Sequence, residues 1–347
     1  MYFKRRLFAG AHRGEVMGKI RRRRFLIASS ALLAAPLIGR AQTAIKVHRI
    51  GILLVAPPTA STQPFRDAFE QGLREHGYVE GRNLLIEQRF TGTSPERIAE
   101  QAAELVRLKV DLIVAPLTLH ARGASQATKT VPIVTVMGGD PVATGLVVSL
   151  ARPGGNVTGL TQQQPDLSAK QLQLLREVVP GGAKRVAVVW NPGNPGHPPA
   201  FRQLEVGAPP MQVELQSLEV RSSEDIDAAI ATLARRPPDG LIVYDDPTIF
   251  LARRRIVEAA ANHRIPAIYG SRVYVDEGGL MSYSADLTEL FRRSASYIDK
   301  IPKGAKPADL PVEQPTKFEL ALNLKAAKAI GLAIPPAVRT RADRVIE

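Results

Sequence analysis

Two Asp-Pro pairs, Asp140-Pro141 and Asp246-Pro247, directly follow apolar runs rich in β-branched residues. A carboxylate in that place can cap the helix that the proline opens. It can also pair with an ammonium group and fix the orientation of a bound solute, and the two roles are compatible. Asp245 is less easily explained by structure alone, since only one residue can cap. Ser61, Thr62 and Thr118 follow other apolar runs, where hydroxyls and free helix-start N–H groups can hold a carboxylate or cap in the ordinary way. Pro57 lies in the same loop as Ser61, APPTAST (56–62). Trp190, the single tryptophan, ends a run beside Asn191, and Tyr269 ends another. Each ring is either core or an apolar wall for a ring-bearing ligand. The chemistry these residues share is binding rather than bond-breaking.

Most catalytic signatures are missing. There is no G-x-x-x-x-G-K-[ST] phosphate loop, no G-x-G-x-x-G after the first apolar run and no G-x-S-x-G elbow. The six histidines never fall three or four apart, so no helix presents two metal ligands on one face. The chain has no cysteine, which removes disulfides, thiol nucleophiles and thiolate metal sites. No catalytic residue, metal or cofactor is expected.

The elements that must position the candidates alternate. HRIGILLV (48–55), LLIEQRF (84–90), VDLIVAP (110–116) and PIVTVMGG (132–139) read as buried strands. Helical windows lie between them, one opened by Ser94 as N-cap with Pro95 behind it. The pattern restarts with AKRVAVVWN (183–191), VELQSLEV (213–220), DGLIVYDD (239–246) and IPAIYG (265–270). Ser222 or Ser223 caps one helix of this series, and 247–264 reads as another. The Gly- and Pro-rich stretch 152–168 separates the series and reads as a connection. GGLMSYS (278–284) is strand-like and DLTELFRRSASYIDKI a helix. Strand-like and helical pieces follow, which suggests that the chain returns across an interface. This is an α/β protein of two parallel-sheet lobes. In such sheets ligands bind at the carboxyl ends of the strands, where every candidate above lies.

Charge is unevenly placed. Residues 1–41 hold ten Lys or Arg against one acid, nine of the thirteen net positive charges, so the body is only mildly cationic. Four arginines (21–24) precede an apolar run, Ile27 to Ile38, too short for the roughly 20 residues of a bilayer span. Gly39 and Ala41 then suit a cut before Gln42. This is an export signal of Sec or twin-arginine type, with Met17 a candidate true start. No aromatic residue interleaves with the arginines, so nucleic acid is not an expected partner. The remaining chain is long enough to fold without staples, as two domains.

DPVATGLVVSLARPGGNVTGLT (140–161), VAVVWNPGNP (186–195), GGLMSYSADLTELFRRSASYIDKI (278–301) and KGAKPADLPVEQPTKFELALNLKAAKAIGLAIPP (303–336) resemble the substrate-binding proteins of a bacterial ABC-transporter family often described as tryptophan/tyrosine-type. The likeness runs from about His48 to Glu347. It implies a type I periplasmic binding fold, two Rossmann-like lobes joined by three hinge crossings near 160–165, 284–288 and 311–318. The first lobe would comprise 46–162 plus about 288–311, the second 163–287 plus about 312–347. The implied function is that of a monomeric periplasmic protein that captures a small amino-acid-like or aromatic solute and delivers it to an inner-membrane permease. The ligand set would be Pro57, Ser61, Thr62, Thr118, Asp140, Trp190, Asn191, Asp245, Asp246 and Tyr269. Three departures stand out. Asp245 replaces an apolar residue or proline, PLTLH (116–120) lacks small residues, and Gly207, Pro209 and Pro210 should end a helix early within 201–212. Alternatives are a periplasmic lyase, isomerase or hydrolase using Asp140 and Asp246, or a ligand-sensing partner of a membrane receptor. A transcriptional-regulator effector domain is disfavoured because no helix-turn-helix precedes residue 48.

Overall fold

The computed structural model describes residues 46–162 and 164–347; the leader expected at 1–41 and the start expected at Met17 lie outside them. Five strands, β1 (His48–Leu54), β2 (Leu84–Phe90), β3 (Leu112–Val114), β4 (Ile133–Gly138) and β5 (Val157–Thr161), form a sheet in the order β2-β1-β3-β4-β5. Every pairing in it is parallel. Helices α1 (Gln63–Glu75), α2 (Pro95–Arg107) and α3 (Thr118–Ala127) make the crossovers. Ser94 caps α2, accepting from Arg97 N–H.

Seven further strands build a second sheet: β6 (Arg185–Trp190), β7 (Glu214–Glu219), β8 (Gly240–Val243), β9 (Ala267–Tyr269), β10 (Met281–Ala285), β11 (Phe318–Asn323) and β12 (Arg344–Ile346). Their order is β12-β11-β10-β9-β8-β6-β7. All pairings are parallel except β10 with β11. The accompanying helices are α4 (Gln164–Val178), α5 (His197–Gly207), α6 (Ser223–Arg235), α7 (Pro247–Leu251), α8 (Arg253–Asn262) and α9 (Arg272–Asp276), then α10 (Leu287–Lys300), α11 (Leu324–Ala329) and α12 (Pro336–Thr340).

Strand parity explains the layering. In β1, Ile50 and Ile52 join one buried cluster with Phe69 and Leu73 of α1 and Leu290 and Ile298 of α10. Leu53 faces the other way, into Ile98, Ala102 and Leu105 of α2 and Ala121 of α3. Both faces are apolar, as a parallel sheet between helices requires. β6 repeats the rule: Val186, Val188 and Trp190 pack toward α4 and α5, while Ala187 and Val189 pack toward α6 and α8.

The chain passes between the sheets three times. It leaves β5 for α4, leaves β10 for α10, which lies against α1, and returns past β5 into β11. At the last passage Glu313 N–H bonds Gly159 O, and Thr161 N–H bonds Glu313 O. Three elements depart from the sequence reading. The stretch 152–168 contains β5, whose Gly159 has φ +124° and no room for a side chain: a Cβ would come within 2.2 Å of Thr135 O. The helix expected over 247–264 is two helices, broken at Ala252. α4 has no counterpart in that reading. The early stop of α5 is as expected, with a short 3-10 turn at Pro209–Met211 behind it.

Candidate functional site

Loops at the carboxyl ends of β1, β3, β8 and β9 converge on a cavity of about 260 Å³ between the two sheets. The first sheet's side supplies Ala56, Pro57, Thr62, Phe65, Pro116 and His120. The second supplies Asp245, Asp246, Phe250, Arg253, Ser271 and Val273. The wall is mostly apolar, with polar groups on both sides, among them Gln88 and His120 on the first and Asp245 and Ser271 on the second, the composition of a small-molecule site.

Asp246 caps α7: Oδ1 accepts from Thr248 N–H at 2.9 Å and Oδ2 from the Asn194 side-chain amide at 3.0 Å. Asp245, one residue earlier, is held through its backbone. Its carbonyl oxygen accepts from His197 Nε2 at 2.9 Å, while His197 Nδ1 accepts from Asn191 N–H at 3.0 Å. That pair of bonds fixes the His197 tautomer and ties the β6 and β8 loops together. Burial pushes the His197 imidazole pKa down, with nearby Asp246 opposing the shift. Of the Asp245 carboxyl, Oδ1 lies 3.4 Å from Ser271 Oγ, and Oδ2 is enclosed without a hydrogen-bond partner. Part of the residue still meets solvent, but the enclosed oxygen dominates its electrostatics. Burial, reinforced by Asp246, pushes the Asp245 pKa up to about 7.

Across the cavity, His120 is 1% exposed and bonds Thr91 Oγ1 at 3.1 Å through Nε2. The one Thr91 hydroxyl hydrogen is directed to Gly92 O (3.0 Å) or Leu54 O (3.3 Å), so Nε2–H of His120 is the donor in that bond. Nδ1 is then a buried acceptor with no partner. Burial pushes this imidazole down to about 4, leaving it neutral at physiological pH.

The rim joins the lobes directly. Ser61 Oγ donates to Glu277 Oε1 at 2.9 Å, across 216 residues of chain. The same oxygen takes Arg253 Nε and one terminal nitrogen at 3.1 and 2.9 Å, and Arg254 holds the other oxygen. Burial pushes the Glu277 pKa up, but bonds from Arg254, Ser61 and Arg253 outweigh it and hold the carboxyl below its usual range. Arg253 also covers the Phe250 ring, 4.4 Å from its centroid.

Of the residues singled out from sequence, Pro57, Thr62, Asp245 and Asp246 line the cavity, and Ser61 stands at its rim. The other five are placed elsewhere. Thr118 Oγ1 accepts from Gly139 N–H at 2.9 Å, supporting the loop after β4. Asp140 Oδ1 accepts from Val142 and Ala143 N–H at 2.9 and 3.0 Å, closing its own turn. Asn191 Oδ1 accepts from Gly193 N–H at 2.8 Å. Trp190 stacks on Phe201 (centroids 4.5 Å apart, planes at 5°) in the core under α5. Tyr269 stacks on Tyr274 in the core of the second sheet. His120, Phe250, Arg253, Ser271 and Glu277 escaped the sequence reading. Ser271 and His120 lie inside loops already marked by strand ends, Phe250 follows Pro247 at helical spacing, and Arg253 opens the next helix. Glu277 has no local signal.

Residues 54–346 match the family described as ABC transporter substrate binding protein. A tyrosine-binding protein of Clostridioides difficile is 29% identical over 296 residues, 83% of this chain and 82% of that one. A Streptococcus pneumoniae ABC domain in complex with L-Trp aligns with TM-score 0.80 at 26% identity, covering 87% of this chain and 100% of that one. A ligand-free, open substrate-binding protein of Clostridium difficile aligns with TM-score 0.63 at 25% identity, covering 87% and 99%.

Proposed function

From its membership of the ABC transporter substrate-binding protein family, we propose that this chain captures a small amino-acid-like or aromatic solute between its two lobes and delivers it to an inner-membrane permease. The protein is a solute-binding protein, its fold that of type I periplasmic binding proteins. One observation carries the choice of solute: the cavity walls, contributed by both lobes, are mostly apolar and include the rings of Phe65, Phe69, Phe250 and Phe291. The tyrosine- and tryptophan-binding relatives support the same class.

The lobes are assigned as 46–162 with about 288–311, and 163–287 with about 312–347, so that α10 returns to the first. Closure follows from differential contact, since only a solute that touches both walls favours the closed form over the open one. The protein acts as a monomer in the periplasm, sent there by its arginine-rich leader, and returns its solute unchanged. Family members of this kind work outside the cytoplasm.

Thermal-shift screening of the purified chain against L-tyrosine, L-tryptophan and aromatic acids tests the reading. A true ligand at a hundredfold excess over its dissociation constant stabilises by about 2.7 kcal/mol. Mass spectrometry of the recovered solute should find it unaltered. A chemically changed product would replace capture by catalysis.

A further inference from the structure

The charged groups around the cavity are unevenly satisfied. Both guanidinium groups in its lining are already paired, Arg66 with Glu70 at 2.7 Å and Arg253 with Glu277 at 2.9 Å. Asp246 spends its two oxygens on Thr248 and Asn194. Asp245 has no comparable partners. Oδ2 is enclosed and unbonded, and Oδ1 has only the 3.4 Å approach of Ser271 Oγ. The buried Tyr274 hydroxyl beside it is a neutral donor to this carboxyl, lowering its pKa against the effect of burial, but no cation pairs with the carboxyl. The backbone holds Asp245 in place regardless. A Cβ on Gly270 would sit 2.9 Å from Asp245 N and 3.1 Å from its Cγ, so a glycine there is what admits the carboxyl. A carboxyl in a mostly enclosed wall with neutral donors but no counter-ion is an incompletely compensated charge.

We infer that Asp245 sets the charge of the solute: the cavity takes an aromatic solute bearing a protonated amine, with the amine required and a carboxylate dispensable. This rests on the reading of the cavity as the capture site and narrows its solute class. An ammonium N–H brought to Asp245 makes the charge-assisted bond the wall lacks, and the ring lies against Phe65 and Phe250. An aromatic acid without an amine brings a second anion beside Asp245 and Asp246 and finds no unpaired guanidinium in the lining. The ionisable groups around Asp245 are Asp246, Arg253, Tyr269, Tyr274 and His197 on its own lobe, with His120 on the facing wall. Burial keeps much of Asp245 protonated at mildly acid pH. Arrival of an ammonium therefore ionises it and releases one proton to the buffer.

Calorimetric titration at about pH 6, in two buffers of different ionisation enthalpy, tests this with three probes: L-tyrosine, tyramine and 3-(4-hydroxyphenyl)propionate. L-tyrosine and tyramine should bind within about tenfold of each other, with proton release, and the propionate far more weakly. Asp245→Asn should weaken both amines about tenfold to a hundredfold, abolish the proton release and leave the propionate unaffected. Its apo melting temperature at pH 8 should equal or exceed that of the parent, showing that the loss is not misfolding. If Asp245→Asn melts lower, Asp245→Ala takes its place in the same titrations. The inference falls if the propionate binds as tightly as tyramine, if tyramine fails where L-tyrosine binds, or if the amines bind the folded variant unchanged. Failure of all three probes to bind the parent would instead remove the aromatic-solute reading on which it rests.

Discussion

His120 and Asp245 face one cavity from opposite lobes, and burial acts on them with opposite sign. The folded-state pKa of His120, about 4, lies below its ordinary 6.5. Between those values the unfolded chain binds more protons, so stability is full above pH 6.5 and is lost as pH falls toward 4, by about 3 kcal/mol. Asp245 runs the other way, from 3.8 up to about 7. Here the folded chain binds more protons, so stability is greatest below pH 3.8 and falls as pH rises through 7, by at most about 4 kcal/mol. Between pH 4 and 6.5 the two slopes oppose each other and nearly cancel, so the stability of the empty parent should be almost flat there. Urea unfolding across pH 4 to 8 separates the two contributions in the variants. His120→Gln, which keeps a donor for Thr91, should leave a stability that falls as pH rises; Asp245→Asn should leave one that rises with pH. A flat profile in His120→Gln would show that these two groups do not carry the compensation.

At the scale of elements, strand parity decides which residues the sequence can place. Trp190 shares its face of β6 with Val186 and Val188, so its position in the core follows from alternation and not from its ring. Trp190→Ala should cost about 3–5 kcal/mol in urea unfolding and leave the affinity of the folded protein for its solute within about threefold. A larger loss of affinity with normal stability would put the ring in the site. The strand and helix order, the Ser94 cap and the early end of α5 were legible because each has a local cause: β-branched runs, a side-chain cap, a glycine with two prolines. Three things were not. β5 hides among Gly and Pro because a close approach to Thr135 O, and not propensity, requires Gly159. The break at Ala252 has neither Gly nor Pro; it coincides with burial of Arg253 against Glu277, which is tertiary. The carboxyl-end loops pointed to the cavity, but not to which of their side chains would face it. Asp140 and Asp246 share the same Asp-Pro signature, yet only Asp246 lines the wall.

At the scale of the whole molecule, the two lobes are held against each other by contacts that need no solute. At one end of the crevice the Ser61 hydroxyl reaches Glu277. At the other, Gly196 neighbours the first lobe: a Cβ there would be in ordinary van der Waals contact with the Gly139 Cα at 3.6 Å and Thr118 Oγ1 at 3.8 Å. Every such contact is lost on opening and restored on closing, so each shifts the same equilibrium that the solute shifts. Ser61→Ala removes one hydrogen bond to a carboxylate, about 1 kcal/mol after water replaces it. Apparent affinity follows the population of the competent state, so the dissociation constant should rise by up to about fivefold, and by less the more the radius of gyration of the empty protein increases. Glu277→Gln should do more, because Arg253, with its side chain only 9% exposed, loses its counter-ion, and leaving one buried partner uncompensated costs about 3–5 kcal/mol. Small-angle scattering of the empty and solute-filled forms separates the two effects. In the filled form both variants should return to the compact dimensions of the parent, since the solute supplies what the latch no longer does. If Ser61→Ala leaves both scattering and affinity at parental values, the rim contact is incidental and closure belongs to the solute alone.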